Sequence, residues 1–452
     1  MKLSNTIYPV LTAVITTLIF IFPMEMQAQT TITSNVNADT TWDVAGSPYI
    51  VENNISIRAG NTLTIEPSVE VRFEANIGLS IFGHLQADDV LFTSNGTDSR
   101  GAWRGIRTAI FSPSSDIGSA EILNSTIQFG GDGAVFAEDG TIVLTNTEIS
   151  NSNEALKIGG GAESVTINGL TATGNGWPII LQSLTALQTS GTQTITGNDR
   201  DGARVDVTSA SGTDHVLPQL AVPYVFNNTL TVEQNGVLTI QPDNILKFND
   251  NYGLTINGTL LADGSSGTDP IRFTSLKNDN IGGDTNNDAT GSSPASRDWR
   301  GITFNSTAQD ASIIDNAEIS FAGRRDRSNR LSISDHGAVT VRNASPTIQN
   351  TTFLNSYAGI MLTGTAAPTI ANNEIGTSER FPMTMTFDAN PTLTDNVLSL
   401  QDNQFDAIGL IGTTISENAT LIKRDFTDLP NITYALWRSD LTIDSGTTLD
   451  IE

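Results

Sequence analysis

The phrase SPTIQNTTF at residues 345–353 returns as APTIANNEI at 367–375 and as NPTLTDNVL at 390–398. Its prolines, Pro346, Pro368 and Pro391, stand 22 and 23 residues apart. Self-similarity at a period of 20 to 50 residues marks a repeat architecture, in which each unit buries its apolar face only against its neighbours. The apolar runs are short and alternate, as in LTI, VEVRF, ILKF and AVTV. Period-two alternation of β-branched residues specifies strands, and no stretch carries a long apolar stripe at helical spacing. A period of about 22 residues accommodates three short strands and three turns, one coil of a parallel β-helix. The fold class expected is all-β: a right-handed, single-stranded parallel β-helix with coils of about 22 residues.

That coil assigns positions. Ile348 is expected to point inward and stack on Ile370 and Leu393, and Phe353, Ile375 and Leu398 should form a second interior column. Asn350, Asn372 and Asp395 fall at a turn, where Asn and Asp tolerate left-handed backbone. Each proline sits at the first position of a strand, where no ladder donor is needed. At ~4.8 Å per coil, roughly 19 coils would make a rod of roughly 90 Å.

A larger duplication encloses the short repeat. The stretch PYIVENNISIRAGNTLTIEPSVEVRFEANIGLSIFGHLQAD from Pro48 aligns without gaps with PYVFNNTLTVEQNGVLTIQPDNILKFNDNYGLTINGTLLAD from Pro223, an offset of 175 residues. Further on, WRGI at Trp103 answers WRGI at Trp299. We read residues 45–215 as one β-helix module and 216–429 as a second. Residues 430–452 open a third copy that stops in mid-phrase, as a truncated chain would. The second module differs by insertions at about 264–268, 276–298 and 324–335, which all fall between repeats. Residues 1–28 carry Lys2 followed by a short apolar run, the pattern of a secretory signal, which predicts a secreted or outer-surface protein. No later segment is apolar enough to span a bilayer.

Charge and composition remove several functions. With 49 acidic and 23 basic residues the net charge is −26, which disfavours nucleic acid and anionic lipid as partners and attracts divalent cations. Cysteine is absent, which excludes disulfides, thiolate metal sites and a cysteine nucleophile. Only His84, His215 and His336 are present, too few for a His-rich metal site.

Three features bear on chemistry. In the insertion LKNDNIGGDTNNDATGSSPASRD, Asp284, Asn286 and Asp288 have the D-x-N-x-D spacing of a calcium loop, although Ala289 replaces the usual glycine and no terminal Glu follows. The metal expected there is Ca2+; the ordinary alternative is a solvated Asx-rich loop. In RRDRSNR, Arg324, Arg325, Arg327 and Arg330 are candidate contacts to an anionic glycan through bidentate bonds, or else offset nearby carboxylates. Trp103 and Trp299 are expected to wedge under turns, with stacking on sugar as the alternative. No catalytic set announces itself. Asp132, Glu138 and Asp139 have no counterpart in the second module, where His336 takes the place of Asp132. Asp335 and His336, adjacent on a strand, face opposite ways and form no dyad.

The phrases SPTIQNTTFLNSYAGI, APTIANNEI, DWRGITF and GGDTNND resemble those of right-handed parallel β-helix repeat proteins secreted by bacteria of the Bacteroidetes type, similar in fold to the pectate-lyase-like superfamily. The resemblance covers about 45–452. It implies an extracellular protein, commonly with a C-terminal sorting domain, of which nothing is visible here. Two functions follow from these readings: a non-catalytic rigid scaffold for adhesion or binding of extracellular polysaccharide or a cell-surface partner, or a polysaccharide lyase or glycoside hydrolase. A third is a stalk carrying an activity further along the chain.

Overall fold

The computed structural model describes residues 29–110, 117–212, 214–324, 333–398, 403–437 and 440–452. The proposed signal segment, residues 1–28, lies outside them. The described chain is a parallel β-solenoid of about 17 turns, with turns of about 23 residues. Every pairing between named strands is parallel, as a single chain winding in one sense requires. The coil number falls below the roughly 19 expected because insertions lengthen single turns without adding any. Gly253 pairs with Gly301, 48 residues on, whereas the coils at 347–394 repeat after 22 and 23. At ~4.8 Å per turn the rod is about 80 Å long. No helix among the described residues is long and apolar enough to cross a membrane.

The interior columns follow the sequence reading. Ile348 is in register with Ile370, and Ile370 with Leu393. Phe353 pairs with Ile375, and all of these except Leu393 are buried. Each such Ile removes enough apolar surface to stabilise the coil by about 1.5–3 kcal/mol. The turn assignment also holds: Asn350, Asn372 and Asp395 have φ of 49°, 54° and 52°, and Asn124 and Asn146 in the first copy both have φ of 47°.

The residue after that turn does more than the repeat suggested. Asn373 is fully buried; its amide nitrogen donates to the Ile348 carbonyl at 2.9 Å and its oxygen accepts from the Thr351 amide at 3.0 Å. Asn396 repeats this one coil further on, accepting from Asn373 N at 3.0 Å and donating to Ile370 O at 2.8 Å. Asn175 and Asn198 build the same ladder in the first copy. Each side chain thereby satisfies backbone groups that a tight corner leaves without ladder partners.

The two copies join with a shift of face. In the first copy, Gly78–Ile81, Gly105–Thr108 and Trp177–Leu181 belong to one side of the coil. That side continues through Ala203–Val205 onto Tyr224–Phe226, whose sequence counterpart is Tyr49–Val51 on a different side. The counterparts of the Gly78 strand, Gly253–Ile256 and Gly301–Phe304, therefore lie in a separate sheet. Equivalent surfaces of the two copies look out on different sides of the rod.

Candidate functional site

On the first copy, the outward ladder Ser80, Arg107, Phe136, Lys157, Ile180 and Arg204 runs up successive coils. Its lower part forms the floor of a groove of about 540 Å³, walled by Asn54, Asn76, Asn153, Asp132 and Arg104. Gly105 makes the wall possible: its φ is 113°, and a Cβ there would stand 2.4 Å from the Gly133 carbonyl. Phe136 is half-buried with the Lys157 ammonium 5.2 Å from its ring centroid. Trp177, two coils on, lies under Arg200 and Arg204 at 5.3 and 5.6 Å. Arg107 pairs with Glu138 at 3.2 Å, while Lys157 and Arg204 both reach Glu154 at 3.5 Å. Arg104 is exposed and has no ion pair among the described residues. Aromatic faces interleaved with planar amides and guanidinium groups suit a polar, ring-shaped ligand.

Trp103 borders the groove, but neither it nor its counterpart Trp299 exposes its ring. Both are fully buried; Trp103 Nε1 donates to Gln128 O at 2.6 Å and Trp299 Nε1 to Ser320 O at 2.8 Å. They wedge under turns and are not available to a sugar ring.

The acidic loop is more elaborate than its spacing indicated. Asp284, Asn286 and Asp288 are brought together, and Asp279, which the D-x-N-x-D spacing does not include, joins them: carboxylate oxygens of Asp279, Asp284 and Asp288 lie within 4.8 Å of one another. Asp284 accepts backbone amides from Asn287 at 2.7 Å and Ala289 at 2.8 Å, so it organises the loop. Ala289 takes φ of 57° at the position where calcium loops place glycine. Asp279 Oδ1, Asn286 Oδ1 and Asp288 Oδ1 are buried with no hydrogen-bond partner. Crowding raises the Asp279 carboxyl above its usual range, first by burial and then by Asp284 and Asp288, while Lys247 opposes the rise. Lys247, fully buried, donates from Nζ to Gly283 O, and burial pushes its ammonium down to about 8 despite Asp279 and Asp284. Three carboxylates and one ammonium leave two negative charges, the complement of a divalent ion. Oxygen-only donors are the kind that calcium takes.

The basic insertion is only partly described. Arg325, Arg327 and Arg330 lie outside the described residues. Arg324 is exposed, and its backbone exchanges hydrogen bonds with His336 at 3.0 and 2.8 Å. His336 Nδ1 meets Thr303 Oγ1 at 3.2 Å, whereas Asp335 is buried and accepts from the Tyr357 hydroxyl at 3.3 Å. The two neighbours do face apart. Asp132 lines the groove and Glu138 holds Arg107, so the acidic residues singled out in the first copy divide between wall and support.

No protein family matches this chain, and no curated protein or solved structure matches it either.

Proposed function

We propose that this chain is an extracellular, non-catalytic rod that holds polysaccharide in the groove of its first copy. The observation that carries this reading is the groove itself, an open trough of about 540 Å³ with Phe136 on its floor and Asn54, Asn76, Asn153 and Arg104 on its walls. Its solenoid frame needs no rearrangement to present them, which keeps the ordering cost of binding low. The acidic cluster of Asp279, Asp284 and Asp288 shares no residue with the groove. A metal-assisted lyase needs its cation beside the substrate, so this separation favours binding over cleavage. We propose further that the acidic loop takes Ca2+ and thereby fixes the 276–298 insertion against the second copy.

Glycan-array binding by the purified chain tests the main reading. Binding that is lost in Phe136→Ala with Arg104→Ala supports it. A chain that binds no glycan, or that releases unsaturated products from polygalacturonate or alginate, overturns it in favour of the lyase.

A further inference from the structure

The second copy carries a pocket that its charge balance does not explain. Several arginines of the rod are matched to carboxylates, as in Arg72 with Glu70 at 2.8 Å, Arg100 with Asp199 at 2.6 Å and Arg204 with Asp206 at 2.9 Å. Arg300 and Arg342 are not. Among the described residues neither makes an ion pair or a side-chain hydrogen bond, and the Nε of each is buried without a partner there. Both line a cavity of about 350 Å³ together with His336, Thr303, Asn305 and Ser334.

The fold forces these groups together. Trp299, anchored under its turn, delivers Arg300, whose backbone is held by Tyr252 O at 2.8 Å. Arg342 ends the strand Val339–Arg342, which stacks on Gly301–Phe304 through Val339 with Ile302 and Val341 with Phe304. His336 arrives by the backbone exchange with Arg324. Burial pushes the His336 imidazole down to about 4, helped by Arg342, Arg300 and Arg324 in that order, so it stands neutral among cations. Arg342 is itself held below its ordinary range by burial and by Arg300. Two half-buried guanidinium groups whose Nε–H groups find no acceptor among the described residues are costly unless something negative comes to them.

We propose that the Arg300–Arg342–His336 pocket binds an oxyanion, a sulfate or carboxylate group carried singly on a glycan. Guanidinium forks match the oxygens of such groups, and Thr303, Ser334 and Asn305 stand in the same wall to complete the shell. The charge of −26 sets the selectivity. It repels a densely charged polymer at long range while the pocket attracts an isolated charge at contact, so a sparsely substituted chain is the favoured carrier. In the first copy Arg107 and Asp132 occupy the positions of Thr303 and His336, and Arg107 is already paired with Glu138 at 3.2 Å. The site therefore belongs to the second copy alone and opens on another side of the rod from the groove.

The test is titration of the full chain with inorganic sulfate, with a short oligosaccharide bearing one sulfate or one uronate, and with its neutral counterpart. The readouts are calorimetry and the NMR signal of the His336 ring. Expected are binding of the charged oligosaccharide at least tenfold tighter than of the neutral one, and a rise of the His336 titration midpoint on saturation. Inorganic sulfate should compete, and the double variant Arg300→Met with Arg342→Met should lose the preference. Should that variant not fold, Thr303→Val takes its place and is expected to weaken the charged ligand several-fold. Equal affinity for charged and neutral oligosaccharides, or a preference that survives the substitutions, overturns the proposal. The groove reading stands or falls separately, because Phe136→Ala leaves this pocket untouched: loss of neutral-glycan binding tests the groove, and loss of charge preference tests the pocket.

Discussion

The indole of Trp299 lies flat on the ring of Phe248, with centroids 4.4 Å apart and planes inclined by 9°. Trp103 lies on Phe73 in the same way, at 4.2 Å and 6°. The pair closes the core beneath the turn that presents Arg300, so packing and binding surface are mechanically linked. Trp299→Ala should cost about 3–5 kcal/mol by opening a cavity in this stack. Chemical denaturation of the two chains checks it; a loss below about 1 kcal/mol would mean that the turn is held by something else.

The asparagine ladder makes a sharper prediction, because it rests on polar satisfaction and not on volume. Asn373→Ala strips the Ile348 carbonyl and the Thr351 amide of their buried partners. Each unsatisfied group costs about 1–3 kcal/mol. Asn372→Ala, one residue earlier at a left-handed turn, should cost only the strain of placing Ala at φ of 54°. Thermal melting of both variants should rank Asn373→Ala as the more damaging, and the reverse order would contradict the ladder.

Calcium should raise the melting temperature of the wild-type chain, and chelation should reverse the rise. Asp284→Ala is a poor control, since Asp284 also holds the amides of Asn287 and Ala289. Asp279→Asn and Asp288→Asn keep the shape and remove charge. Each should abolish most of the calcium-dependent rise while leaving the metal-free melting temperature within a few degrees of wild type. An unchanged calcium response in both would remove the loop as the site.

His336 ties stability to pH with a definite sign. Its folded-state value near 4 lies below the 6.5 of an ordinary histidine, so between these limits the unfolded chain binds the proton and the folded chain does not. Its contribution is complete above about pH 6.5 and is lost as pH falls toward 4. The groups facing it are Arg300, Arg324 and Arg342, all cationic throughout this window. At about 1.4 kcal/mol per pH unit the effect is on the order of 3 kcal/mol. In His336→Gln, the destabilisation between pH 7 and 4.5 should shrink accordingly; an identical pH profile would show that His336 is solvated.

For the first copy, Phe136→Ala should weaken neutral-glycan binding about tenfold with little change in melting, because Phe136 is half-buried on the outer face. Equal affinity in wild type and variant would place the sugar elsewhere.

The repeat phrases alone determined the solenoid, its register and its interior columns. A period fixed by backbone geometry must put equivalent residues over one another, so Ile348, Ile370 and Leu393 could be aligned without coordinates. The asparagines show where that reasoning stops. ANNE contains two adjacent asparagines, and the sequence pointed to the first as the turn residue, correctly, but not to the second as the buried one. Only the corner geometry decides which side chain turns inward. The calcium-loop spacing located Asp284, Asn286 and Asp288, which are close along the chain. Asp279 lies in the same insertion but outside that spacing, and Lys247 joined them only through the folding of the insertion onto the strand Ile245–Phe248 of the previous turn. Arg300, His336 and Arg342 are dispersed over 43 residues and obey no motif, yet stacking of coils brings them to one cavity. The same holds for the two outer surfaces: duplication predicts equivalent faces, and the junction at Ala203–Val205 sets them on different sides of the rod. Local periodicity is written in the chain because each coil repeats the same short-range problem. What stands beside what on the outside depends on how long each insertion is and how the coils are joined, and that is settled only in three dimensions.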